Sequence, residues 1–190
     1  MSKLLFLAGS VRKTSLNKRL AQCAMNIAKS KSAHVTFLDL ADYDMPLYCQ
    51  DIEQENGIPD NVITVKKMFQ EHDGIFIASP EFNSSFTPLL KNTLDWISRP
   101  HETNETRLSA YKNKIFALAA LSPGALGGIR GLAPLRMMLS TLGCHIIPTQ
   151  IAVGGPNTLD DDNHLTNDTH IKLMDDLIAE FIDVTESLHA

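Results

Sequence analysis

Three short segments of this 190-residue sequence hold the residue types best suited to gripping or aligning a ligand: Gly9-Ser10-Val11-Arg12-Lys13-Thr14-Ser15-Leu16-Asn17, Pro80-Glu81-Phe82-Asn83-Ser84-Ser85, and Ser122-Pro123-Gly124-Ala125-Leu126-Gly127-Gly128. The first lies between a strand-like run and a helical pattern. There, unpaired backbone N–H groups and the positive end of a helix dipole attract an anion. Ser10, Thr14, Ser15 and Asn17 add neutral donors, and Arg12 offers a planar fork of N–H groups matched to phosphate oxygens. Such a loop suits a terminal phosphate. It is not a dinucleotide fingerprint, which needs glycines where Val11 and Thr14 stand, nor a P-loop, which ends in Gly-Lys-Ser/Thr. Taken alone, the same residues also fit a plain helix start in which Ser15 or Thr14 caps the helix and Arg12 is solvated.

The second segment opens a helix running through Lys91-Asn92-Thr93-Leu94-Asp95-Trp96 to Arg99-Pro100. Its polar residues crowd the end of a strand. A capping role for Ser85 or Thr87, with Pro88 in the first helical turn and Trp96 in the core, is the competing reading. The third segment supplies Gly124, Gly127 and Gly128, which let a flat ligand approach the main chain closely. Alone it also reads as a tight turn before a helix.

These segments matter because of what surrounds them. Lys3 to Ala8, His34 to Leu40, Gly74 to Ser79, Lys114 to Leu121 and Ile146 to Val153 are five strand-like runs. Between and after them, helical stripes appear at Leu16, Leu20, Cys23, Ala24 and Ile27, at Val62, Val65, Met68 and Phe69, at Leu90, Leu94 and Ile97, at Leu132, Leu135, Met138, Leu139 and Leu142, and at Ile171, Met174, Leu177, Ile178 and Phe181. Continuously apolar strands alternating with amphipathic helices need both sheet faces covered, which implies a doubly wound parallel α/β sheet. Five strands with right-handed crossovers favour the flavodoxin-like order 2-1-3-4-5, with helices on both faces and a ligand bound beyond the strand C-termini. The three polar segments then meet on one edge. Asp42 to Pro59 and Arg99 to Tyr111 read as long surface excursions rather than domain linkers, so residues 1–190 are expected to form a single domain.

Composition narrows the function classes. Hydrophobic residues make up 44% and charged residues 21%, a globular balance without low-complexity tracts. The formal charge of −5 excludes a general basic face for nucleic acid, so any anion site must be local. No apolar stretch is long enough to span a bilayer and no cleavable signal follows Met1, so a cytoplasmic protein with no membrane association is expected. Cys23, Cys49 and Cys144 are too scattered for a metal or dithiol site. Asp160-Asp161-Asp162-Asn163 lacks the glycine and distal glutamate of a calcium loop and reads as a solvated acidic turn, so no metal is expected. The seven histidines form no nucleophile motif, and no catalytic acid, base or triad is assigned.

Taken in order, Gly9-Ser10-x-Arg12-x-x-Ser15-x-Asn17, Pro80-Glu81-Phe82-Asn83 with Leu90-Lys91-Asn92 and Asp95-Trp96, and Ser122-x-Gly124-x-x-Gly127-Gly128 resemble the NADPH-dependent FMN reductase family, which includes quinone, chromate and azo reductases. The resemblance implies that Ser10, Arg12, Ser15, Leu16 and Asn17 hold the FMN phosphate and ribityl chain. It implies that Glu81, Phe82, Asn83 and Ser84 line the isoalloxazine, with Ser122 and Gly124 on its other side, and that Pro80 also belongs to the cofactor site. Phe82 replaces the more usual tyrosine, keeping a ring wall without a hydroxyl, and Ser84 stands where some relatives carry an aromatic residue. The implied reaction is ping-pong: NADPH or NADH reduces FMN and leaves, then a quinone, azo compound or metal oxyanion takes the electrons in the same pocket. A homodimer or homotetramer is likewise implied. A flavodoxin-type FMN carrier without nicotinamide turnover is the alternative, and a ligand-free structural protein a more distant one.

Overall fold

Residues 2–189 are described by a computed structural model. Five parallel strands, β1 (Lys3–Ala8), β2 (His34–Leu38), β3 (Gly74–Ala78), β4 (Ile115–Ser122) and β5 (His145–Gly154), form one sheet in the order β2-β1-β3-β4-β5. This is the expected flavodoxin-like winding. The apolar runs of β1, β3 and β4 are buried on both faces, as central parallel strands must be, whereas the edge strands β2 and β5 are only partly covered.

Six helices dress the sheet: α1 (Leu16–Ser30), α2 (Gln50–Asn56), α3 (Asp60–Glu71), α4 (Pro88–Ile97), α5 (Ile129–Thr141) and α6 (Asp168–Leu188). The stripes of α1 and α6 pack on Phe6, Phe76 and Ala117 on one face. Those of α3, α4 and α5 pack on Leu5, Ile75 and Leu118 on the other. Among the described residues no helix is long and apolar enough to cross a membrane.

β5 is irregular. Its register against β4 slips between Phe116 and Leu118, which pair with Ile146 and Gln150 respectively, and the surplus residues include Pro148. Arg136 of α5 repairs the gap by donating to the carbonyls of Ile147 (3.0 Å) and Pro148 (3.4 Å) and to Gln150 Oε1 (3.0 Å).

One expectation gains detail and another needs correction. The segment from Asp42 to Pro59 contains α2, which has no buried residue and therefore no apolar stripe to betray it. That segment is stitched to α4, with Trp96 Nε1 and Asn92 Nδ2 both donating to the Pro46 carbonyl (2.7 and 2.9 Å). Nor is Arg99 to Tyr111 a purely surface excursion, since Ala110 and Tyr111 are fully buried. A buried Lys66 ammonium demands a carboxylate, and Glu105 is drawn inward to meet it.

Candidate functional site

The loop after β1 is built as a rigid cradle. Ser15, 2% exposed, caps α1 by accepting from Lys18 N (3.3 Å), which leaves the other first-turn N–H groups without intrahelical partners. The Gly9 carbonyl accepts from Thr87 Oγ1 (2.7 Å), and the same hydroxyl caps α4 by accepting from Leu90 N (3.2 Å), with Pro88 following in the first turn. Asn17 is buried and exchanges two hydrogen bonds of 2.9 Å with the backbone of Leu121 at the end of β4. Its amide thus fixes the cradle to β4 and retains one N–H. Arg12 is exposed, touching only the Thr14 carbonyl at 3.4 Å. The charge of neighbouring Lys18 is already taken up by Asp39 at 2.7 Å.

After β3, Phe82 and Ser85 exchange both backbone hydrogen bonds (2.8 and 3.0 Å) around Asn83 and Ser84, whose φ angles are +50° and +66°. Two consecutive positive φ values are those of a type I′ turn, here closed on itself and holding Phe82 57% exposed. After β4, Ser122 Oγ accepts from Gly124 N (3.2 Å). Gly127 follows at φ +60°, where a Cβ would lie 2.7 Å from the Val153 carbonyl carbon, so only glycine fits between this loop and β5.

Two adjoining cavities result at the C-terminal edge of the sheet. One of about 340 Å³ is lined by Ser10, Arg12, Ser15, Leu16, Asn17, Pro80, Glu81, Phe82, Leu121, Ser122 and Pro123. The other, of about 560 Å³, is lined by Glu81, Asn83, Ser84, Ser122, the Gly124–Gly128 loop and Arg130. Of the candidate residues, Ser10, Arg12, Ser15, Leu16, Asn17, Pro80 and Phe82 border the smaller cavity, Asn83, Ser84 and Gly124 the larger, and Glu81 and Ser122 both, whereas Thr14 borders neither. The smaller cavity carries the helix start, hydroxyls and Arg12, a donor set suited to a phosphate and a polyol chain. The larger one has glycine-lined backbone suited to a flat ring. The residues present therefore fit a flavin mononucleotide.

Arg130 and Leu121 are lining residues that sequence reasoning did not assign to the site, and Arg130 is the charged one. Its signal was available: an arginine in the first turn of a helix opposes the dipole and calls for a compensating anion. Glu81 is that anion, with its Oε1 2.6 Å from one terminal nitrogen and 2.7 Å from Nε. Glu81 is the one carboxylate among the residues lining either cavity, and it is occupied by this pair. The thiols lie elsewhere: burial pushes Cys144 up to about 12 and also raises Cys23, and neither borders these cavities. The arrangement can bind and orient a ligand.

Comparison with known proteins agrees. Residues 2–158 match the family model described as NADPH-dependent FMN reductase. A quinone reductase of Escherichia coli is 32% identical over 149 residues, spanning 78% of this chain and 75% of that protein. An NAD(P)H:quinone oxidoreductase of Solanum tuberosum is 33% identical over 147 residues, spanning 76% of this chain and 71% of that protein. Among solved structures, FerB, a flavoenzyme NAD(P)H:(acceptor) oxidoreductase from Paracoccus denitrificans, superposes with a TM-score of 0.83 at 25% identity, covering 98% of each chain.

Proposed function

The chain belongs to the NADPH-dependent FMN reductase family, and from that premise we propose that it reduces quinones or similar small oxidants with NADPH or NADH through bound FMN, by a ping-pong mechanism. The observation that carries this reading is the pair of adjoining cavities, one suited to a phosphate and one to a flat ring, meeting at Glu81 and Ser122. FMN, when bound, supplies hydride acceptance from the nicotinamide and electron delivery to the oxidant.

The chain's own residues do the positioning. Ser10, Arg12, Ser15, Leu16 and Asn17 hold the phosphate and ribityl chain, with charge from Arg12 and backbone N–H groups from the start of α1. Pro80, Glu81, Phe82, Asn83 and Ser84 form one wall for the ring, and Ser122 and Gly124 the other. Exposed Phe82 offers an apolar surface at the rim that excludes water from a bound aromatic substrate. The larger cavity offers one open face over the ring to both donor and oxidant, which supports their taking turns. The proposed assembly is a homodimer, supported by half-exposed Leu126 and Ile129 beside that cavity.

A visible spectrum and an FMN fluorescence titration, followed by steady-state NADPH and NADH oxidation with menadione, test the reading. Saturable FMN uptake and parallel double-reciprocal plots are expected. Uptake without nicotinamide turnover would make the chain an electron carrier, and no uptake would end the proposal.

A further inference from the structure

The turn after β3 and the first turn of α5 face each other across the seam of the two cavities, and Glu81 joins them. Its side chain is only 9% exposed, although it lies in a loop at the sheet edge. One oxygen receives the Arg130 guanidinium (2.6 and 2.7 Å), and the other accepts from Arg130 backbone N–H (3.1 Å). That second contact is a helix cap supplied from another loop. α5 has no cap of its own, because its N-cap position is Gly128, in the left-handed region and without a side chain to contribute. The two backbones are also in close approach: a Cβ on Gly131 would sit 3.0 Å from the Ser85 carbonyl oxygen and 3.4 Å from Glu81 Cα.

We propose that Glu81 is a positioning residue whose carboxylate locks the Glu81–Ser85 turn to the first turn of α5. It thereby fixes the slot in which the flavin ring and the hydride donor must be aligned. The idea rests on the FMN reductase reading for its functional half and on these contacts alone for its structural half. Glu81 acts here through Arg130 and the backbone rather than by proton transfer. Because the phosphate cradle is tied to α4 and β4 by Thr87 and Asn17, it does not depend on this lock.

The test uses Glu81→Ala and Glu81→Gln in the full chain. Without FMN, amide hydrogen exchange should accelerate roughly tenfold or more at Arg130 and, together with it, at Phe82 and Ser85 in Glu81→Ala. The effect should be smaller in Glu81→Gln, which keeps an acceptor oxygen, and amides of residues 10–17 should be unchanged. With FMN saturating, KM for NADPH should rise roughly tenfold or more in Glu81→Ala. Arg130→Gln should reproduce the KM effect in part, and adding it to Glu81→Ala should add little. Acceleration confined to Arg130, or an unchanged KM, would overturn the proposal. If Glu81→Ala is unfolded, the same criteria apply to Glu81→Gln. Failure of the wild-type chain to take up FMN would sink the enzyme reading, and the exchange data would still decide whether the lock exists.

Discussion

Two charged sites at opposite ends of the sheet, the Lys66–Glu105 pair and Arg12, treat charge in opposite ways. At the end where strands begin, Lys66 and Glu105, with side chains 1% and 8% exposed, are locked together, and Glu105 also accepts from Ser109 Oγ (2.5 Å) and His101 N (2.8 Å). Nearby, Lys114 Nζ donates to the carbonyls of Gln70 and His72, both at 2.6 Å. At the other end, Arg12 is exposed and makes one long contact within its own loop. Buried charge at the first end closes the fold, whereas exposed donor capacity at the second end can be turned toward a ligand. A charged residue therefore reports function here only when its partners are counted.

Breaking this contrast should give effects of descending size. Glu105→Ala leaves Lys66 buried and unpaired, and should cost about 3–5 kcal/mol in urea unfolding while FMN affinity stays unchanged. Acid dependence sharpens the same point. Burial opposes ionisation of Glu105, but contacts from Lys66, Ser109 and His101 outweigh it and hold the carboxyl at about 2 against an ordinary 4.5. A depressed carboxyl stabilises the fold above its ordinary value, and that contribution is lost as pH falls through the interval toward the folded value. Wild type should thus lose more stability than Glu105→Gln between about pH 5 and pH 2. At the opposite end, Arg12→Ala should weaken FMN binding roughly 10- to 100-fold by fluorescence titration, with unfolding free energy changed by less than about 0.5 kcal/mol. Modest in size but felt at both levels, Ser15→Ala removes the cap of α1 and should cost about 1 kcal/mol while loosening the phosphate cradle. If Arg12→Ala proved as destabilising as Glu105→Ala, the contrast between the ends would be lost.

Much of this was legible in the sequence because the signals were periodic. The central strands β1, β3 and β4 are apolar on both faces, and the stripes of α1, α3, α4, α5 and α6 repeat at helical spacing, so winding and edge followed. Helix α2 escaped because nothing in it is buried. Glu105 escaped because its partner Lys66 lies 39 positions earlier on a different element, a pairing with no local mark. Asn17 was marked as a ligand donor, and it lines the smaller cavity. Its clasp on Leu121, 104 positions away, could be seen only in three dimensions. Glu81 and Arg130 stand in the same relation: Glu81 was marked in its segment, Arg130 was not, and only the fold joined them.

The slipped register of β5 has a consequence for how copies of this chain can meet. An outermost strand normally exposes a ladder of free N–H and C=O groups that invites a neighbouring chain to continue the sheet. Here Pro148 can donate nothing, and Arg136 already occupies the carbonyls of Ile147 and Pro148. Strand addition is therefore opposed at Ile147 and Pro148, so a neighbouring chain that continued the sheet on this edge would have to pair beyond them.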